Sequence, residues 1–250
     1  MRCLVLADLH YALPQFDWLQ SVAGRFDAAV IAGDLIDIGS RVEVDVQILV
    51  LLKYLRRIHP TTRLLVSSGN HDMDGVNADH ERVATWLQEA KALGIPVDGD
   101  SLELEGMLFT ICPWWDGPHT RAKVEALLER DAARGIHPWI WIYHEPPDQS
   151  PVSWTGKDFA GDHYLPGYIE RHKPTLVLSG HVHQSPFRKE GAWVDKLGET
   201  WVFNAGRQIG PCPAHIILDT EVRTAEWHSQ AGDEVVTLTG DPDPREMTDT

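Results

Sequence analysis

Five short polar clusters recur down the chain in a fixed order, each behind a run of apolar residues. They are Asp8-Leu9-His10, Gly33-Asp34-Leu35-Ile36-Asp37, Gly69-Asn70-His71-Asp72, Tyr143-His144-Glu145-Pro146-Pro147 and Gly180-His181-Val182-His183. Carboxylate oxygen, neutral imidazole nitrogen and amide oxygen suit intermediate divalent cations such as Mn, Fe, Co, Ni or Zn, and no thiolate is among the donors. The skipped residue in Asp8-x-His10 and His181-x-His183 matters. On extended chain alternate side chains share a face, with α-carbons ~6.5 to 7 Å apart, a span that fits neighbouring cations ~3.5 to 4 Å apart. Gly33 and Gly69 each open a cluster where backbone must turn tightly or approach a ligand closely.

The elements that would position these clusters are strands. Residues 3–7, 28–32, 64–67, 139–142 and 176–178 read as buried strands, so the clusters fall at strand ends, the edge at which α/β sheets bind ligands. Helices are expected over 15–23, 42–58 and 79–93, an alternation that predicts a parallel sheet. Strands 101–104 and 107–112 around Glu105-Gly106 open a second sheet, followed by a helix over 122–134. A loop over 145–161, carrying Trp154 and Lys157, is a candidate lid. A helix over 163–171 comes next, and strands at 192–194, 200–204, 215–218 and 222–227 close the chain.

Taken together, the five clusters resemble the signature of the calcineurin-like metallophosphoesterase superfamily: Asp-x-His, Gly-Asp-x-x-Asp, Gly-Asn-His-Asp/Glu, a lone His, then Gly-His-x-His. The resemblance, over residues 1 to about 227, implies a four-layer α/β/β/α sandwich of two mixed sheets with flanking helices. It implies that Asp8, His10, Asp34 and His183 hold one divalent metal ion, that Asp34, Asn70, His144 and His181 hold a second, and that Asp34 bridges them. It further implies that His71 faces the scissile phosphoester, with Asp37 accepting a hydrogen bond from its ring. Hydroxide formed between the two cations is then the nucleophile, and His71 the general acid, a contribution of ~10² to 10⁴-fold.

Departures from the family's branches narrow the reaction. The Ser/Thr protein phosphatases carry Arg after the second Asp of the Gly-Asp block and Glu at the end of the Gly-Asn-His block; Ile38 and Asp72 stand there here. Tyr143 replaces the Gly that often precedes the lone His in smaller bacterial phosphodiesterases. The leading expectation is a phosphoesterase acting on a small or nucleotide-like ester, diester before monoester. The alternatives are a nuclease of the same superfamily and a non-catalytic metal-binding scaffold; retention of His71 and every ligand speaks against the scaffold.

Substrate contacts must come from loops. Trp114 and Trp115 are candidates to stack on a base or other planar group, the alternative being that they seal the core. Arg207, in Asn204-Ala205-Gly206-Arg207, is a candidate to grip a phosphate oxygen, the alternative being an internal ion pair. Asp72 and Asp74 read as turn residues rather than further ligands, and Asp162 as an N-cap. His59, His80, His119, His137, His163, His172, His215 and His228 read as solvated surface.

Composition sets the remaining bounds. A chain of 250 residues, 43% hydrophobic, can bury a large core, and residues 1–238 are expected to form a single domain. The tail over 239–250, rich in Gly, Asp, Pro, Glu and Thr, is expected to be disordered. A formal net charge of −15 argues against an extended nucleic-acid footprint. No apolar stretch is long enough for a bilayer, and the first cluster follows Met1 too closely for a cleaved leader. Three cysteines, with Cys3 inside a strand pattern, argue against a disulfide framework and for a reducing, cytoplasmic setting.

Overall fold

Residues 1–239 are described by the structure, a computed structural model; the expected disordered tail lies outside the described residues from 240 onward. Strand β1 (Arg2–Leu6) leads through α1 (Leu13–Val22) to β2 (Ala28–Ala32), and α2 (Val44–Ile58) leads to β3 (Arg63–Ser67). A hairpin of β4 (Gly75–Val76) and β5 (Arg82–Val83) precedes α3 (Leu87–Ala92). Then come β6 (Ser101–Leu104), β7 (Met107–Ile111), α4 (Pro118–Ala132), β8 (Trp139–Ile142), α5 (Leu165–His172) and β9 (Leu176–Ser179). The chain continues through β10 (Val194–Leu197), β11 (Thr200–Asn204), β12 (His215–Asp219), β13 (Thr224–Ser229) and β14 (Gly232–Thr237).

One six-stranded sheet has the order β14-β13-β12-β1-β2-β3 and the other β10-β11-β9-β8-β7-β6. Within them β1, β2 and β3 run parallel, as do β7, β8, β9 and β11, while β12, β13, β14, β10 and β6 pair antiparallel, so both sheets are mixed. Alternation along the strands makes three cores. Cys3 and Val5 of β1 meet Phe109, Ile140 and Ile142 between the sheets. Leu4 and Leu6 face α1–α3, joined by Phe16, Leu51 and Leu55. Trp139 and Trp141 of β8 turn the other way onto Val124, Leu128 and Ile169 of α4 and α5. Helix, sheet, sheet and helix layers follow directly, each face covered by apolar burial.

Several expected elements shift. The helix expected over 79–93 is instead the β4–β5 hairpin followed by the short α3, because local polar groups take the backbone away from helix. Asn77 Oδ1 accepts the N–H groups of Asp79 and Glu81, and Asp74 accepts those of Thr85 and Trp86. Strand β10 begins at Val194, where the expected strand ended, and β14, a half-exposed edge strand, was not expected at all. Four of the histidines read as solvated are half-buried instead: His172 packs edge-on against Trp139 and Trp141, His215 and His228 stack on each other, and His59 buries its Nδ1.

Candidate metal centre

The loops that leave β1, β2, β3, β8 and β9 meet at one edge, between the sheets. Their backbones extend the strand ladders outward: Asp8 N–H donates to the Gly33 carbonyl, His10 N–H to that of Asp34, and Gly180 N–H to that of His144. The chain is not extended there. Asp8 (φ 56°), His10 (41°), Tyr11 (54°), Asp34 (55°) and His181 (68°) all sit in the left-handed region, where a non-glycine residue costs of order 1–3 kcal/mol. Val182 N–H returns to the Gly180 carbonyl at 2.7 Å, so His181 centres a three-residue γ-turn. The extended-chain explanation of the two x-spaced pairs is therefore corrected: left-handed turns at Asp8, His10 and His181 direct these side chains, and while Asp8 and His10 share one ligand group, His181 and His183 fall in different ones.

The expected ligands fall into two groups that share one residue. Ligand atoms of Asp8, His10, Asp34 and His183 lie within 4.8 Å of one another, as do those of Asp34, His144 and His181. His10 Nε2 is 3.0 Å from His183 Nε2, and Asp8 Oδ1 is 3.3 Å from His183 Nε2. Asp34 Oδ2 stands 3.6 Å from His10 Nε2 and 3.3 Å from His144 Nε2, while its Oδ1 accepts the His71 N–H at 2.8 Å. Asn70 Oδ1 reaches His181 Nδ1 at 2.9 Å, bringing the last expected ligand to the second group.

This arrangement fits divalent cations on three counts. His144 Nδ1 is 2.6 Å from the Ala32 carbonyl, which fixes a proton there and leaves Nε2, 3.3 Å from Asp34 Oδ2, to carry either a second proton or a cation. That Nε2 is buried without any hydrogen-bond partner, a costly state unless something else binds it. Three glycines keep the space open: a Cβ at Gly33 would lie 2.3 Å from His144 Nδ1, at Gly69 2.2 Å from Asp34 Oδ1, and at Gly180 2.5 Å from Asp8 Oδ2.

Charge within the cluster is strongly organised. Burial would raise the carboxyls of Asp8 and Asp34, but the facing imidazoles outweigh it and hold both below the usual carboxylate range. Burial likewise opposes charge on His144, yet the Asp34 and Asp8 carboxylates push it up to about 10. His181 is pulled down to about 4 by burial and by the charge of His144, and burial lowers His71. Two buried acids that hold a proton on His144 form a site in which a cation can take that proton's place.

A family model for calcineurin-like phosphoesterases matches residues 1–185. The chain belongs to that family. Calcineurin-like phosphoesterases are metal-dependent hydrolases of phosphoric esters, in keeping with the His/Asp groups above. Comparison with curated protein sequences gives no match. Among solved structures, TT1561 of Thermus thermophilus is similar in fold, with a TM-score of 0.59 at 15% identity over 95% of this chain and 99% of that one. Purple acid phosphatase PPD1 from yellow lupin (Lupinus luteus) seeds superposes with a TM-score of 0.56 at 13% identity, covering 99% of this chain and 55% of that one. The shared phosphoesterase fold is the two-sheet sandwich described above.

The remaining expected site residues divide. His71 stands edge-on to His10, ring centroids 4.5 Å apart, and its Nδ1 is buried without a partner. The expected Asp37–His71 hydrogen bond is not made: Asp37 Oδ1 accepts the Gly39 N–H instead, leaving the carboxylate within 4.8 Å of the His10 and His71 rings. Trp114 lies against the rings of His181 and His144, 5.5 and 5.8 Å away. Trp115 does not join the site. Its indole N–H turns inward to Tyr143 Oη and Asp162 Oδ2, both at 3.0 Å, because a buried indole N–H needs an acceptor. Asp162 is accordingly an anchor for Tyr143 and Trp115 rather than a helix cap, its other oxygen accepting the Tyr164 N–H. The 145–161 loop is a packed wall and not a loose flap: Val152 is fully buried and Ser150 Oγ donates to Asp195.

Two residues that hold the site escaped the sequence reading. Asp72, read as a turn former, is fully buried and accepts four backbone N–H groups, from Asp34, Leu35, Ile36 and Gly69, so it clamps the β2 loop to the β3 loop. Asn204 is fully buried, and its Nδ2 donates to the Val182 carbonyl at 3.0 Å, between His181 and His183. The place of Asp72, closing the Gly-Asn-His-Asp cluster, was the available signal for the first. For Asn204 it was the polar residue ending an otherwise apolar strand.

Proposed function

We propose that this protein hydrolyses a small or nucleotide-like phosphoester, diester in preference to monoester, at two divalent cations. Asp8, His10, Asp34 and His183 would hold one and Asp34, Asn70, His144 and His181 the other. The observation that carries this reading is the shared position of Asp34, whose carboxylate belongs to both ligand groups. Mn, Fe, Co, Ni and Zn all suit the nitrogen and oxygen donors. When bound, such a pair activates water and neutralises charge developing on the phosphoryl oxygens.

The chain's own residues do the rest. Asp34 and Asp8 fix the cluster, aligned by the Asp72 and His181 backbone contacts. His71, held by its backbone N–H on Asp34 and packed edge-on against His10, is the group we assign to donate a proton to the departing alkoxide. The Asp34 carboxylate favours the protonated ring against burial, and Asp37 lies within 4.8 Å of it. Preference for a diester accords with the formal net charge of −15, which repels a dianion more than a monoanion. Trp114, against the second ligand group, bounds the space where an ester substituent lies. Cys3, Cys112 and Cys212 are all free thiols, in keeping with a reducing cytoplasm. Among the described residues no helix is long and apolar enough to cross a membrane.

The deciding experiment is a panel of esters on purified protein loaded in turn with Mn, Fe, Co, Ni and Zn: bis-p-nitrophenyl phosphate, the p-nitrophenyl monoester, and single-stranded and duplex DNA. A higher kcat/KM on the small diester than on the monoester, with no DNA cleavage, is expected. DNA cleavage with neither small ester turned over would replace the reading with a nuclease, and no hydrolysis under any metal would leave a binding scaffold.

A further inference from the structure

Arg121 and Arg207 are the arginines that are not exposed among the described residues. Arg121 is engaged, its Nε 3.4 Å from Glu125 and its guanidinium over the Tyr164 ring at 4.0 Å. Arg207 is half-buried, and its guanidinium meets no carboxylate, aromatic ring or hydrogen-bond acceptor among the described residues. In a chain with 37 acidic and 22 basic side chains, internal partners are abundant, yet this fork has none among the described residues. The ion-pair alternative for Arg207 is thereby removed.

Its place is set by a rigid turn. Asn204, fully buried, donates through Nδ2 to the Val152 and Val182 carbonyls at 2.9 and 3.0 Å and to Ser185 Oγ at 3.1 Å. Its Oδ1 accepts the Gly206 N–H at 2.9 Å. Gly206 takes φ +69°, and a Cβ there would come within 3.0 Å of the His183 carbonyl. Arg207 then donates its own backbone N–H to that same carbonyl at 2.9 Å. The turn is thus stitched to both residues after His181, and the Arg207 backbone is fixed beside the half-open ligand His183, whose side chain is 34% exposed.

We infer that Arg207 is the anion clamp of this site, a specificity-determining residue whose guanidinium takes a phosphoryl oxyanion of the substrate or of the phosphomonoester left by diester hydrolysis. The inference rests on the phosphoester reading and adds to it the residue that reads the charge. A planar guanidinium presents paired N–H donors matched to phosphate oxygens, and one held without an internal partner needs no bond broken before it binds. Asn204 is the positioning residue behind it.

The test is calorimetric binding of inorganic phosphate to the metal-loaded full-length chain, comparing wild type, Arg207→Gln and Arg207→Lys, with metal content and thermal midpoint measured on the same samples. Loss of a charge-assisted contact predicts phosphate binding about 10- to 100-fold weaker in Arg207→Gln. Arg207→Lys should fall between, with metal content and midpoint unchanged. In turnover the same variant should raise KM far more than it lowers kcat. Phosphate bound as tightly by Arg207→Gln as by wild type, no phosphate binding by wild type, or loss of metal from Arg207→Gln would each overturn the clamp. If wild type hydrolyses no ester while its phosphate affinity still depends on Arg207, the phosphoester reading fails and the clamp stands.

Discussion

His144 and His183 are both imidazoles beside the Asp cluster, yet one is sealed in the core and the other stands open, with side-chain exposures of 1% and 34%. His144 is oriented by its own ring, through Nδ1 on the Ala32 carbonyl, and by two glycines that leave room for it. His183 is oriented from behind, through its backbone carbonyl on Arg207 N–H and the neighbouring Val182 carbonyl on Asn204. The group of His144 is called the buried half and that of His183 the open half after these two rings alone, since Asp8 and His10 beside His183 are buried while Asn70 and His181 beside His144 are half-buried. A Cβ at Gly33 has no room against His144, whereas His183 is carried by one loop turn, the turn to which Arg207 is bonded.

Breaking both halves at once should have the largest effect. Asp34→Ala removes the shared carboxylate, and elemental analysis of the purified variant is expected to find neither cation, with turnover at background; retention of one full equivalent would show that the halves are independent. His71→Ala touches neither half. It should keep full metal content while slowing turnover ~10² to 10⁴-fold, most for esters with poor leaving groups, and a rate loss indifferent to leaving group would remove His71 from the general-acid role.

The next two changes separate the halves. Gly33→Ala forces a Cβ to 2.3 Å from His144 Nδ1 at a φ of +87°, so the buried half alone should fail, with one cation lost and stability lowered by about 1–3 kcal/mol. Asn204→Ala should loosen the open half more than the other, because it frees the Arg207 turn as well as the Val182 carbonyl, weakening that cation by about 10- to 100-fold, as removal of a group that orients a ligand does. Competition with a metal-sensitive dye resolves the two sites; equal weakening of both by either variant would contradict the division.

The smallest effect concerns Trp114, which borders the buried half. Ser68 Oγ accepts the Trp114 N–H and donates to Asp98, whose carboxyl burial pushes up from 3.8 to about 7. At acid pH both folded and unfolded chains keep this proton. As pH rises through that window the unfolded chain ionises first, so stability falls, and the loss persists above it. Asp98→Asn should abolish that slope and raise stability near pH 8 by about 1–3 kcal/mol. Unfolding midpoints at acid and alkaline pH in the two proteins measure it, and an unchanged slope would rule Asp98 out as its source.

Much of the centre was legible because residue type carries the chemistry. Asp8, His10, Asp34, Asn70, His144, His181 and His183 were readable from donor atoms and from their place behind apolar runs, and the run Cys3-Leu4-Val5-Leu6 was readable as a buried strand, which the structure covers on both faces. What escaped depends on backbone and direction. Left-handed φ at Asp8, His10 and His181 is held by neighbouring loops, so spacing alone suggested an extended chain. Trp114 and Trp115 are identical neighbours that point to opposite fates, decided by the acceptors Tyr143 and Asp162, which lie far along the chain. Asp72 and Asn204 serve by clamping backbone groups largely of other loops, so their places were marked locally while their partners were not. The β4–β5 hairpin likewise won over helix through the side chains of Asp74 and Asn77.

Anomalous diffraction from crystals of the Mn-loaded protein tests the central claim most directly. Two peaks ~3.5 to 4 Å apart, with the Asp34 carboxylate between them, His144 on one and His183 on the other, are predicted. A single peak, or a pair that does not share Asp34, would contradict the account.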